Sequence, residues 1–84
     1  MSEAYKITEA GMVLAVEILV RDGFLTDEPG RSHTSNLVAA KAACGRYIEA
    51  SRAKGEGRSP QDVQDVIVIA YFEAYLEAVT RKLN

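Results

Sequence analysis

The stretch from Ser59 to Leu83 limits what this chain can fold into more than any other. Its middle, Val66-Ile67-Val68-Ile69-Ala70-Tyr71-Phe72, carries no charge. Ser59 stands where a cap is needed, Pro60 takes the first helical position and Asp62 completes a capping-box pattern, so a helix is expected to start here. At 100° per residue, Asp62, Glu73, Glu77 and Thr80 fall in one narrow polar stripe. Nearly all else in the middle turns is apolar, over an arc of roughly 260°. A surface helix of a small protein usually has a much narrower apolar face, so this one is expected to be covered on two sides.

The chain of 84 residues is one domain's worth, too short for a large core of its own. A net charge of −2 speaks against a strongly basic nucleic-acid binder and is too mild for a mimic of nucleic acid. The charge is unevenly placed: residues 1–30 carry −4, residues 31–58 carry +4 and residues 59–84 carry −2. A basic middle between acidic flanks points to complementarity within the chain or between subunits. No apolar run approaches the ~20 residues of a membrane span, and the acidic start lacks the pattern of a signal segment. A cytoplasmic protein without membrane contact is expected.

Two further helices are expected. The first covers residues 2–22, with Ser2 as cap or, in a shorter version, Thr8. Glu17 and Arg21 form a favourable i,i+4 pair on its polar stripe, and Gly11 is read as a close helix crossing. Gly23 ends it, with Phe24-Leu25 folding back on the last turn. The second helix runs from about Ser35 to Lys54. Leu37, Ala40, Cys44, Tyr47 and Ile48 make its apolar face; Ala39, Ala42, Ala43, Ala50 and Ala53 make a face of alanines with Arg46 among them. The short Gly55-Glu56-Gly57-Arg58 connection predicts that helix three, about 59–83, returns antiparallel to helix two.

No catalytic constellation is visible. Cys44 has no histidine near it in sequence and reads as a small buried hydrophobe. One cysteine and one histidine cannot build a zinc site, and no cofactor loop is present, so neither cofactor nor metal is expected. Asp62, Asp65, Glu73 and Glu77 read as a solvated stripe rather than as paired catalytic acids. The segment Gly30-Arg31-Ser32-His33-Thr34-Ser35-Asn36 suits an anion at a helix N-terminus, but its residue types are also those that capping requires.

The expected fold is therefore all-α: three helices with a hairpin of helices two and three, assembled as a homodimer because helices one and three have surplus apolar surface. The interface is placed on Val68, Phe72, Tyr75, Leu76 and Val79. The expected function is that of a non-enzymatic binding or regulatory protein, an adaptor or inhibitor with a protein partner. Its working surface is the alanine face of helix two with Arg46 and Arg52. The alternative is a binder of a nucleotide or other phosphate-bearing small molecule, held by Arg31, Ser32, His33 and Thr34 with the same arginines. A third reading is an enzyme subunit with its site between protomers.

Overall fold

The computed structural model describes residues 7–26 and 32–82. Among these the only regular secondary structure is helical. Helix α1 spans Glu9–Arg21, α2 spans His33–Lys54, a single 3-10 turn covers Gly55–Gly57, and α3 spans Pro60–Lys82. Each start is chemically specified. The Thr8 hydroxyl accepts the Gly11 amide at 3.0 Å, and the Ser32 hydroxyl accepts that of Ser35 at 3.1 Å. At α3 the capping box closes both ways: Asp62 N–H donates to Ser59 Oγ, and Ser59 N–H donates to Asp62 Oδ2, both at 3.1 Å.

The shorter version of helix one is the one adopted, starting after Thr8; residues 2–6 of the longer version lie outside the described residues. Its end is a Schellman turn. Gly23 has φ +81°, the Phe24 amide donates to Leu19 O at 2.8 Å and the Gly23 amide to Val20 O at 3.1 Å. Gly11 does not mark a helix crossing. A Cβ there would stand 3.1 Å from Ile7 Cγ1 and 3.3 Å from Thr8 Oγ1, so its bareness makes room for the residues leading into its own helix.

Helices α2 and α3 form the main pairing, and α1 packs chiefly on α3. Lys41 meets Glu77 at 3.0 Å while Lys54 meets Asp62 at 3.4 Å, so sequence order runs oppositely in the two helices and the hairpin is antiparallel. These pairs join the basic middle of the chain to its acidic third part. Ile18 and Leu19 of α1, Ala43 and Cys44 of α2, and Ile69 and Leu76 of α3 are essentially inaccessible at the centre.

Four expectations about side chains are corrected. Arg21 does not pair with Glu17; its guanidinium turns to Asp22 at 2.9 Å and to Asp65 at 3.2 Å. Asp65 is not solvated but buried, which is why a cation is drawn to it. The polar stripe of α3 runs along α2 while remaining partly exposed, with Glu77 and Asp62 paired to lysines of α2 and Glu73 beside Gly45. Finally, the alanines of α2 do not form one open face, because Ala43 is at the centre of the core while Ala42, Ala50 and Ala53 are exposed.

Candidate functional site

Because the polar stripe of α3 faces the hairpin seam, the side of α3 turned to solvent is apolar. Val63, Ile67 and Tyr71 follow one another at i, i+4 and i+8 and are 41%, 50% and 51% exposed. Ala70, Ala74 and Ala78 share that side of the helical wheel, and no charged residue interrupts it between Val63 and Ala78. The buried line Asp65, Ile69, Phe72 and Leu76 lies on the opposite side. The 260° apolar arc thus divides: one part fills the core, and the other has no cover among the described residues.

The expected interface residues divide in the same way. Phe72 and Leu76 belong to the core of the single chain. Val68, Tyr75 and Val79 are half-buried along the margin of the open side. Beyond that margin, Tyr75 helps line an apolar groove of about 570 Å³ with Met12, Val16 and Val20 of α1 and Leu25 and Leu37. Val13, Val16 and Val20 form an exposed stripe of α1, of which Val16 and Val20 line the groove.

A second, polar cleft of about 390 Å³ opens where the end of α1 meets the last turns of α2. Arg21, Asp22, Lys54 and Asp62 form its charged lining, with Phe24 and Tyr47 as an edge-to-face aromatic pair, ring centres 5.3 Å apart. Asp65, just beside it, accepts from Arg21 Nη2 at 3.2 Å and from Gln61 Nε2 at 2.8 Å. Arg21 anchors this end: its hydrogen bonds to Asp22 and Asp65 raise its already high pKa and hold the Asp22 carboxyl below the usual range. The backbone N–H of Ser59, aided by Lys54, likewise holds Asp62 low. Burial, with Asp65 and Asp22 nearby, pushes the Tyr47 phenol up. Ser51 lines the same cleft, 5% exposed, and its hydroxyl has no hydrogen-bond partner among the described residues. An unmet buried hydroxyl costs about 1–3 kcal/mol.

Of the residues expected to hold a phosphate, the three that are described, Ser32, Arg46 and Arg52, do not stand together. Ser32 is engaged in capping: besides accepting the Ser35 amide, its hydroxyl donates to Ser35 Oγ at 3.0 Å. Arg31 and the side chains of His33 and Thr34 lie outside the described residues. Arg46 is 14 residues along α2 from Ser32, roughly 21 Å at 1.5 Å per residue, and Arg52 is farther still, so neither arginine joins that helix start. Arg46 instead donates from Nη2 to the Phe24 carbonyl at 2.9 Å, tying the end of α1 to α2, and Arg52 meets Glu49 at 3.4 Å. Cys44 is fully buried, and burial with the nearby Glu73 charge pushes its thiol up to about 12. That is the opposite of what a nucleophile needs. Among the described residues, no three His, Cys, Asp or Glu stand together to hold a metal ion, and no helix is long and apolar enough to cross a membrane.

Sequence reasoning overlooked Ser51, although its place seven residues after Cys44 and four after Tyr47 puts it on the core face of α2. It also placed the open apolar surface one helical edge away from Val63 and Ile67. Comparison with protein-family models, with curated proteins and with solved structures gives no match to this chain.

Proposed function

We propose that the protein is a small non-enzymatic interaction module that binds another polypeptide through the apolar surface left open on α3 and α1. One observation carries the reading. In a chain of 84 residues, Val13, Val16 and Val20 of α1 and Val63, Ile67 and Tyr71 of α3 are each more than a third exposed, and they are grouped in two stripes rather than scattered. Grouped apolar surface costs solubility and persists where association covers it. The bases of α2 are the weaker candidates for a working surface: Lys41, Arg46, Arg52 and Lys54 already meet groups of their own chain.

The test is an association measurement on the folded protein and on two charge variants, Val16→Glu in the α1 stripe and Ile67→Glu in the α3 stripe. The reading expects helix content to survive in both, with at least one association lost. Associations that survive both substitutions unchanged defeat it.

A small-ligand reading is favoured by a different observation, the Ser51 hydroxyl, buried without a partner among the described residues in the lining of the polar cleft. This moves the candidate ligand site from the start of α2 to the end of α1. A ligand there raises Tm in proportion to its binding, and Ser51→Ala abolishes the rise. A screen of small polar compounds that leaves Tm unchanged removes this reading.

A further inference from the structure

The open side of α3 has a size pattern that selects its own copy. Its large residues, Val63, Ile67 and Tyr71, stand toward the start of the face, and its small ones, Ala70, Ala74 and Ala78, toward the end. Consider two copies of α3 laid antiparallel about a two-fold axis between positions 70 and 71. Val63 then faces Ala78 of the second copy, Ile67 faces Ala74, and Tyr71 faces Ala70. Every large side chain meets an alanine, three times over and twice by symmetry, in a single register. A parallel pairing sets large against large and alanine against alanine.

The charges agree with the same register. Arg81 ends the face with its side chain 76% exposed, and in this arrangement it comes beside the start of the opposing α3, on the edge that carries Asp62. Glu73 and Glu77 fall opposite positions 68 and 64, an uncharged valine and glutamine, and Asp62 falls opposite position 79, between Glu77 and Arg81 of the second copy. The two helix dipoles are also opposed.

We infer that the protein forms a two-fold dimer through α3, packed antiparallel with Ala70 and Tyr71 at the axis. This rests on the reading of the protein as an interaction module and names a second copy of the chain as the occupant of the α3 face. It keeps the expected homodimer but moves its centre from Phe72 and Leu76, which the core of each chain already uses, to Ile67, Tyr71 and Ala74. An isologous interface of this kind closes on itself and leaves the α1 groove free.

The experiment joins light scattering to cysteine cross-linking. Native Cys44 is buried and does not compete. Light scattering is expected to report twice the 9.2 kDa chain mass, and Ile67→Glu to weaken the dimer more than about tenfold with helix content retained. Ala70→Cys, next to the axis, is expected to link to itself under mild oxidation. Ala78→Cys is not, because its two copies stand about 15 residues, roughly 22 Å, apart along the helices. Mixing Ala78→Cys with Val63→Cys is expected to restore the link. Self-linking of Ala78→Cys as fast as Ala70→Cys overturns the antiparallel register, and a monomer at all concentrations overturns the dimer. Neither result touches the broader reading, which falls only if no association depends on either stripe. A dimer disrupted by Val16→Glu and indifferent to Ile67→Glu overturns this inference while supporting that reading.

Discussion

Gly45 lies in the interior of α2 with a helical backbone and no close neighbour: a Cβ built there would stand 3.6 Å from Glu73 Oε2, an ordinary contact. Nothing in the structure requires glycine at this position. Gly45→Ala is therefore expected to stabilise the protein by about 0.5–1 kcal/mol, read as a higher urea midpoint at unchanged slope. Its neighbour Cys44 makes the opposite kind of prediction. The folded thiol titrates near 12 against an ordinary 9.0, so the unfolded chain gives up the proton first. The stabilising difference is complete below pH 9 and is lost as pH rises towards 12, at roughly 1 kcal/mol per pH unit. Tyr47, also shifted upward, adds in the same direction. Chemical denaturation across this range checks it, with Cys44→Ala expected to flatten the dependence. The burial of Cys44 was legible because its neighbours at helical spacing, Ala40, Tyr47 and Ile48, are apolar. The burial of Asp65 was not, since an acid at a helix start looks solvated until a cation from elsewhere, here Arg21, is seen to reach it.

At the scale of the element, the helix boundaries were legible because short-range chemistry sets them. Ser59 with Asp62, Thr8 with Gly11, and Gly23 after Asp22 act within four residues of one another, a range over which sequence and space coincide. Ser59→Ala removes one half of the reciprocal cap and leaves the Asp62 amide unpaired. A loss of about 1 kcal/mol is expected in thermal or urea unfolding. Which face each helix turns outward was less legible. The apolar arc of α3 alone does not say which part the core takes. That depends on where α1 and α2 dock, which leaves the acidic stripe of α3 along the seam, paired with Lys41 and Lys54. Phe72 and Ile67 looked equivalent in the sequence and sit on opposite sides of their helix.

For the whole molecule, the ion pairs set an acid limit. Arg21 holds Asp22 low, the Ser59 amide holds Asp62 low, and Arg81 with Lys41 holds Glu77 low. Each folded pKa lies below the unfolded one, so this stabilisation is present above the ordinary values of 3.8 and 4.5 and is lost as pH falls through the folded ones. The thermal midpoint is expected to hold between pH 5 and 8 and to fall on further acidification. The fall should be smaller at 1 M salt, where screening already weakens exposed pairs.

The three helices are unequal in length: α1 has 13 residues, against 22 in α2 and 23 in α3, and a longer connection separates it from the hairpin than the one that closes the hairpin itself. In kinetic terms α2 and α3 form a unit of local contacts able to assemble early, while α1 must be recruited across a longer stretch of sequence. Two populations of amide protons follow. Those in the middle of α2 and α3 are expected to exchange with deuterium only through global unfolding, whereas those of α1 exchange through a partial opening of lower free energy. Equal protection across all three helices would show that the chain opens as one piece. Each opening of α1 also dismantles the groove that α1 shares with Leu37 and Tyr75, so anything seated there slows exchange in α1 first.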